Sequence, residues 1–541
     1  MYFEEPFTDD EKAVLSRFFT NTDGPVYALV NLPEVVKGAL FARYSRSPKS
    51  VRRLFLDEFV SEPDLGIQAI ADQTLDPTVG VERAEKLYER VFSEYGDDSV
   101  AQLGAAHLAC EQSSNVLTKI LERGRLASYL EQSTRYIIYD QKLGADYRYF
   151  VPQEVTDAGL GARFSEAMDG LFDTYSDLVK VLVPYYQRLY PKSSEDSNFV
   201  YRSTIRAKAC DTIRGLLPAA TISNVGVFAS GQAYEALLLR MRSHPLAEAR
   251  DYSGLMLEEL RKVIPAFLRR VDVPDRGGVW SEYLAGVKRF SEETSRTFGE
   301  TPASQPEVTL LDWDEEAETK IVAAGLYAQS DLPDEQLLEA ARQMSEEDRA
   351  AVFRGLVGER TNRRHRPGRG FERADYRFDL LTDFGIFRDL QRHRMLTIDW
   401  QRLGVAHGYV TPDEIGDAGV ESQWHAALSE AAGLVEAINA ACGPDVAQYA
   451  VPFAYRIRYN MQMNAREAMH LLELRTVEGG HPDYRRVCQQ MHTLIRDKAG
   501  HRLIADAMKY VDYNSYGLDR LETERRAEQR RNASGVSSPD G

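Results

Sequence analysis

Two short basic stretches carry the residue types best suited to holding an anion. Glu122-Arg-Gly-Arg-Leu-Ala-Ser-Tyr-Leu-Glu-Gln-Ser-Thr-Arg-Tyr136 sets Arg123 and Arg125 two apart, and Gln391-Arg-His-Arg-Met-Leu-Thr-Ile-Asp-Trp-Gln-Arg402 does the same with Arg392 and Arg394. Such guanidinium forks suit phosphate or a carbonyl-rich ring. His393 stands between two arginines, which disfavour its charged form and favour a neutral ring that donates or accepts at a ligand edge. Ser133 and Arg135, read as lying two apart at a strand edge, would point the same way and grip one ligand together. A blander reading stays open here: the arginines pair with the many acids of this chain and Ser133 is a turn residue. A third stretch, Asn464-Ala-Arg-Glu-Ala-Met-His470-Leu-Leu-Glu-Leu-Arg475, reads as a helix with Arg466 and His470 one turn apart on one stripe and Asn464 with Arg475 on another. One helix would then face two ligands. The plain alternative for His470 is a partner for Glu467 or Glu473. No Ser-His-Asp or Cys-His arrangement points to a protein nucleophile.

The elements that carry these residues come in two diverged copies. YFVPQEVTDAGL at Tyr149 to Leu160 is repeated as GYVTPDEIGDAGV at Gly408 to Val420, and a segment near Leu29 matches one near Leu310. ALLLRM near Arg240 matches HLLELRT near Arg475. The offsets shrink along the chain (310 − 29 = 281, then 260 at the Glu pair, then 475 − 240 = 235), as in a tandem duplication whose second copy lost loop residues. Between the copies, Ser291 to Glu307 is rich in Ser, Thr, Pro and Glu and reads as a linker. From Glu522 the chain turns charged and then small and polar, so residues 522–541 are expected to be a disordered tail. The expected domains are thus residues 1–290 and 308–521, with 291–307 between them. Long stretches such as ARFSEAMDGLFDTYSDLVKVLVPYYQRL and HPLAEARDYSGLMLEELRKVIPAFLRRV have apolar residues three and four apart and predict helices. STRYIIYD and DYRYFVP predict strands that meet at Gly144. No βαβ rhythm, G-x-G-x-x-G or P-loop is present, so a nucleotide cofactor would need another kind of site.

The 541 residues exceed a single small module. With 43% hydrophobic and 28% charged residues, the chain has the composition of a globular protein, not a fibrous or disordered one. Basic and acidic counts give 66 − 83 = −17, a surface that should repel nucleic acid and anionic membrane unless a local pocket overrides the average. Cys110, Cys210, Cys442 and Cys488 lie far apart, with no metal-type spacing, and read as buried thiols in a reducing compartment. The acidic start MYFEEPFTDDEKAV and the lack of any 18-residue apolar run lead us to expect a cytoplasmic protein.

The pattern R-H-R-x-x-S-x-N-x-x-S-x-R-Y marks the flavin-dependent thymidylate synthases. The first copy resembles it at Arg123, Arg125, Ser128, Ser133, Arg135 and Tyr136, and departs at Gly124 and Leu130. The second keeps Arg392, His393 and Arg394, has Thr397 and Asp399 as near-equivalents, and then carries Arg402, Gly404 and Val405 where Ser, Arg and Tyr belong. Phe371-Glu372-Arg373-Ala-Asp-Tyr376-Arg-Phe378 is similar to the family's F-E-H-x-x-F-T-F segment, with Ser99-Val-Ala-Gln102 in the corresponding place of the first copy. Asn464 to Arg475 resembles the N-A-R-x-x-x-H/N-x-x-x-x-R helix, of which the first copy holds only Arg240, with Ala229 and Gly231 in place of Asn and Arg. Arg214-Gly-Leu-Leu-Pro218 resembles A-R-x-x-L-P. A second triplet, Arg364-His365-Arg366, is followed by Pro367, Gly368 and Gly370 and reads as a basic loop.

The resemblance implies an α+β fold: two tandem domains, each a mainly antiparallel sheet packed with helices, forming a pseudo-dimer. It implies FAD as cofactor, NADPH and methylenetetrahydrofolate as co-substrates, no metal, and reductive methylation of deoxyuridylate. By analogy, two chains would mimic the family's tetramer. Arg392, His393, Arg394, Asn464, Arg466 and His470 are assigned to flavin, with Glu131 and Ser99 beside them; Gln132, Ser133, Arg135, Arg214, Asp389 and Arg392 are assigned to nucleotide. Arg475 and Arg240 would stabilise charge on the uracil ring and Ser133 would hydrogen-bond it. One composite site would persist, with flavin held by the second half and nucleotide by the first, while the mirror site around Gly124 and Arg402 decays. Two other readings stand beside this one. The chain could be a non-catalytic nucleotide- or flavin-binding descendant, because Asp389 replaces a Gln that holds nucleotide and would repel phosphate, and because neither Leu130 nor Asp399 is Asn. Or it could keep the flavin chemistry with a different pyrimidine or one-carbon donor.

Overall fold

The computed structural model describes residues 2–60, 102–194, 196–299, 303–518 and 520–534. In chain order the elements that matter for function are β1 (Val26–Leu29), β2 (Ala105–Ser114), α1 (Asn115–Leu121), β3 (Ala127–Glu131), α2 (Gly161–Leu189), α3 (Asn198–Ile213), β4 (Ile222–Ser230), α4 (Gly231–Arg242), α5 (Ala247–Arg261) and α6 (Val279–Arg296). They continue as β5 (Val308–Trp313), β6 (Asp375–Asp383), α7 (Phe384–Gln391), β7 (Thr397–Trp400), α8 (Glu421–Cys442), β8 (Arg456–Asn464), α9 (Ala465–Arg475), α10 (Pro482–Asp497) and α11 (Leu521–Ser534). The strands form two four-stranded antiparallel sheets with the same order, β1-β2-β4-β3 and β5-β6-β8-β7. The fold is α+β, and the repeated strand order is the duplication expressed in structure.

The inner strands show why these residues pair. In β6, Tyr376, Phe378, Leu380 and Thr382 are buried, with Asp375, Arg377, Asp379 and Leu381 between them on the less buried face; in β8, Ile457, Tyr459, Met461 and Met463 alternate with Arg456, Arg458, Asn460 and Gln462. That period of two puts one apolar face on each strand. The register runs unbroken from Asp375 opposite Asn464 to Asp383 opposite Arg456, and a one-residue slip would turn the apolar set to water. Each inner strand runs directly into a helix, and a polar side chain marks the junction. Ser114 caps α1, Ser230 caps α4, Asp383 caps α7 and Asn464 caps α9, each accepting a backbone N–H of the first turn.

The chain divides into two compact units. The first comprises residues 1–176, 216–301 and 422–452; the second comprises 177–215, 302–421 and 453–541. Within the first, the late segment 422–452 is fixed by Ala219 N donating to Val451 O (2.8 Å), Ala220 N to Tyr449 O (2.7 Å), and the Tyr449 hydroxyl to Glu248 (2.8 Å). Within the second, the early segment 177–215 is fixed by Ala454 N donating to Gly215 O (2.8 Å) and by the buried Arg520–Asp211 pair (3.0 Å).

Three local expectations need correction. STRYIIYD and DYRYFVP are not strands: residues 133–137 form a turn, with the Tyr136 and Ile137 amides both donating to Ser133 O, and Gly144 (φ +72°) closes a tight bend through an isolated Leu143–Asp146 bridge. Their β-branched and aromatic residues serve packing instead, with Ile137 and Tyr139 buried and Tyr147 stacked on Phe172. The presumed linker begins as helix, since α6 runs to Arg296. The presumed tail is helical to Ser534, and α11 docks through Arg525 on Asp196 (2.7 Å) and Glu528 on Ser197. Among the described residues all four cysteines are free thiols, and no helix is long and apolar enough to cross a membrane.

Candidate functional site

In the second unit, two strand-to-helix junctions bring the basic triplet and the Asn464–Arg475 helix together. Every residue of α7 is buried, and the helix ends at Arg392; α9 begins one residue after the end of β8. Arg475 Nε donates to His393 Nε2 (2.9 Å), which fixes the tautomer, so His393 Nδ1 donates to Glu467 Oε1 (3.3 Å). The His470 ring meets the His393 ring edge-on at 5.5 Å. Next to them, Asp389 is ringed by three guanidiniums: Arg392 Nη2 at 2.5 Å, Arg214 Nη1 at 3.3 Å and Arg475 Nη1 at 4.0 Å. Three cations gather on this one carboxylate in a largely desolvated corner, and the Arg214 charge is also felt by Asp383 and Asp483.

Asp389 therefore has a different meaning from the one its charge suggested in isolation. Its carboxylate does not meet a ligand as bare negative charge, because it is already engaged by Arg214, Arg392 and Arg475. Arg214 is 175 residues from Asp389 in sequence yet lies against it, and its Nη2 is buried without a hydrogen-bond partner among the described residues. Gly385 makes this approach feasible. A Cβ there would stand 3.1 Å from the Arg214 guanidinium carbon and 2.9 Å from Asp383 Oδ1, so a side chain would press on both and shift Arg214 or the Asp383 carboxylate. Nothing in the sequence reading pointed to Gly385.

Burial is the largest reason His393 is held neutral, well below the ordinary imidazole range, with the Arg475, His470 and Arg392 charges adding to it. His470 is pushed down to about 4 by burial and then by Arg366, Arg363, Arg475 and Arg466. Glu467 is pushed up to about 7 by burial, against the pull of Arg366 and Arg466. His393 does not offer a free edge as expected, because both its nitrogens are engaged inside the protein. It acts on Arg475 as a positioning group. The expected alternative for His470 also fails: Glu467 bonds His393 and Glu473 bonds Arg360, so no hydrogen bond to His470 exists among the described residues. Asn464 Oδ1 is committed to the helix cap at Glu467 N (2.9 Å), and Arg466 Nε donates to Pro367 O (3.0 Å). Arg394 is exposed.

The first unit holds the corresponding junctions with different contents. Tyr129 donates its hydroxyl to Gly124 O (3.1 Å), and a Cβ on Gly124 would stand 2.7 Å from that hydroxyl. Tyr129 thus fills the space a histidine at 124 would need. Arg240 is half-buried next to it, its buried Nε without a hydrogen-bond partner among the described residues. Arg240 also stands one residue closer to its helix cap (240 − 230 = 10) than Arg475 does to its own (475 − 464 = 11). The residue that replaces Asn464 in the first copy is the cap Ser230, not Ala229. Glu131 is buried on Lys119 (3.3 Å), which also holds Glu122 (2.9 Å), a triad the sequence reading did not identify. Gln132 is buried with its amide on Ser47 O (2.5 Å). Ser133 Oγ accepts the Arg135 amide (3.3 Å), so this pair forms a turn and not a strand edge; Arg135 is buried. Ser99 lies outside the described residues.

Residues 49–266 and 309–499 match the thymidylate synthase complementing protein family. A UPF0159 protein of Chlamydia pneumoniae is 39% identical over 530 residues, covering 97% of this chain and 99% of that protein. A second UPF0159 protein, from Thermoplasma acidophilum, is 30% identical over 515 residues, covering 90% of this chain and 97% of its own. A flavin-dependent thymidylate synthase of Clostridium tetani is 26% identical over 225 residues, 38% of this chain and 82% of that enzyme. Two matched segments spanning well over half the sequence, on two sheets of identical strand order, mean that this chain belongs to the thymidylate synthase complementing protein family, that of the flavin-dependent thymidylate synthases.

Proposed function

We propose that the chain catalyses reductive methylation of deoxyuridylate to thymidylate, with FAD as cofactor and methylenetetrahydrofolate and NADPH as co-substrates. The observation that carries this reading is the Arg214–Arg392–Arg475 cluster around Asp389, next to two neutral histidines. Those groups fit a flavin and a nucleotide in kind. His470, half-buried, neutral and without a hydrogen-bond partner among the described residues, suits a planar ring carrying carbonyls, and Arg214 Nη2, unsatisfied among the same residues, suits an anion. FAD, when bound, supplies hydride transfer to the one-carbon unit.

The protein's own task is then orientation and charge. Arg475, aimed by His393, stabilises negative charge as it develops on the uracil ring, and Arg392 and Arg214 hold the anionic part of the nucleotide. Because His393 is neutral, it accepts from Arg475 without competing for the anion. Ser133 and Arg135 are assigned to the nucleotide on the resemblance, with Gln132 and Glu131 as buried supports, and Asn464 and Arg466 hold the flavin end of α9. Arg240, half-buried beside Tyr129, is assigned no step. The test is reconstitution with FAD followed by chromatographic detection of thymidylate from deoxyuridylate, methylenetetrahydrofolate and NADPH. Flavin-loaded protein that forms no thymidylate would favour the non-catalytic binding homologue, and a different methylated pyrimidine would favour altered substrate choice.

A further inference from the structure

The second Arg-His-Arg triplet, Arg364-His365-Arg366, lies in a basic loop beside the start of α9. Of the six arginines from Arg360 to Arg373, three have acid partners: Arg360 pairs with Glu473 (2.6 Å), Arg369 with Glu372 (3.1 Å) and Arg373 with Asp334 (3.0 Å). Arg363, Arg364 and Arg366 are exposed and make no ion pair among the described residues. In a chain with 83 acidic and 66 basic residues, three unmatched cations within four positions form a marked local anion attractor. The loop is also pre-shaped. Arg364 N donates to Asn362 Oδ1 (2.9 Å), the Asn362 amide meets His365 Nε2 (3.0 Å), and Arg466 at the start of α9 donates to Pro367 O (3.0 Å).

This ties the cations to one end of α9. The nine residues from Arg466 to Arg475 span about 13 Å at roughly 1.5 Å per residue. Along that line lie the Arg363–Arg366 loop, the neutral His470 and His393, and then the Arg475–Asp389 cluster. The Arg366 and Arg363 charges reach His470 and help hold its ring neutral. A ligand matched to this order has a polyanionic bridge at the loop and an uncharged planar ring beside the histidines.

We propose that Arg363, Arg364 and Arg366 hold the diphosphate bridge of a dinucleotide whose ring lies along α9. This rests on the dinucleotide chemistry proposed above. Two sources share that diphosphate, FAD and NADPH, and FMN carries a ring with a single phosphate.

The experiment uses the full chain freed of cofactor, titrated with FAD, NADPH and FMN, and compares wild type with Arg363→Gln/Arg364→Gln/Arg366→Gln. The expected result is a loss of FAD affinity on the order of 10- to 100-fold, with a shallower salt dependence and FMN affinity changed by less than about 3-fold. A loss confined to NADPH would support the diphosphate assignment with the nicotinamide donor as its source. Equal losses for FAD and FMN, or no loss for either dinucleotide, would overturn it. Wild type that binds no dinucleotide would sink both this inference and the flavin reading, whereas wild type that binds FAD with a variant of unchanged affinity would sink the inference alone. Limited trypsin digestion of wild type gives a second readout that needs no variant. Cleavage after Arg363 and Arg364 should slow with FAD and not with FMN, and unaltered cleavage at saturating FAD and NADPH would contradict the assignment.

Discussion

Replacing Asp389 by Asn separates two roles that its surroundings impose. The carboxylate is 9% exposed and touches Arg392, Arg214 and Arg475, of which Arg214 is 5% and Arg392 30% exposed. Removing one member of a buried ion cluster typically costs about 3–5 kcal/mol, since the remaining charges stay desolvated. Asparagine keeps the shape and one acceptor, and Arg392 is partly screened by water, so a loss of about 2–4 kcal/mol is expected. Ligand affinity should move the other way. A unit charge about 6 Å away at an effective dielectric near 20 contributes roughly 3 kcal/mol, and screening at physiological salt reduces this to about a 10-fold gain for an anion. Urea unfolding measures the first quantity, and calorimetric titration with inorganic phosphate and with deoxyuridylate measures the second. Unchanged stability together with unchanged or weaker anion binding would refute the idea that Asp389 neutralises an anion-binding cluster.

Other perturbations test the supporting structure. Gly385→Ala should displace Arg214 while leaving α7 folded, weakening nucleotide binding by about 10-fold with less than about 1.5 kcal/mol of destabilisation; equilibrium binding and thermal melting check both. Arg360→Ala breaks a buried bidentate pair with Glu473 and should cost about 3–5 kcal/mol in denaturant unfolding. Burial pushes Glu248 up to about 7 from an ordinary 4.5, despite the bonds it accepts from Ser114 and Tyr449. Its folded form keeps a proton that the unfolded chain has lost, so its contribution falls as pH rises from about 4.5 to 7, by roughly 1.4 kcal/mol per pH unit. Glu248→Gln should remove that component from the stability profile; an unchanged slope between pH 5 and 7 would count against it. His470, pushed down to about 4, works in the opposite direction, losing stability as pH falls from about 6.5 to 4.

Short-range patterns revealed much of this molecule. The duplication, the long helices α2 and α5, and the helix from Asn464 to Arg475 follow from spacing that a local window captures, and the two equal sheets agree with the repeat. The two aromatic stretches near Gly144 were misread because a β-branched or aromatic run signals burial as readily as a strand, and here Ile137 and Tyr139 fill a core beside a turn. The site was only half legible. His393, Arg475 and Asn464 lie in one motif-bearing unit, but Arg214 meets Asp389 because segment 177–215 packs within that same unit, a contact 175 residues apart that no periodicity encodes. Tyr129 shows the opposite failure. A Gly at 124 marks a lost histidine, but only the structure shows that a neighbouring ring has taken its space.

The most direct measurement is tritium release from deoxyuridylate labelled at position 5 of the ring, with FAD, NADPH and methylenetetrahydrofolate present, comparing wild type with Arg475→Ala. Wild type should release tritium in proportion to thymidylate formed, and loss of the guanidinium that His393 aims should slow release at least about 100-fold while flavin remains bound. Flavin-loaded wild type that releases none, or an Arg475→Ala variant as fast as wild type, would contradict the role given to this cluster.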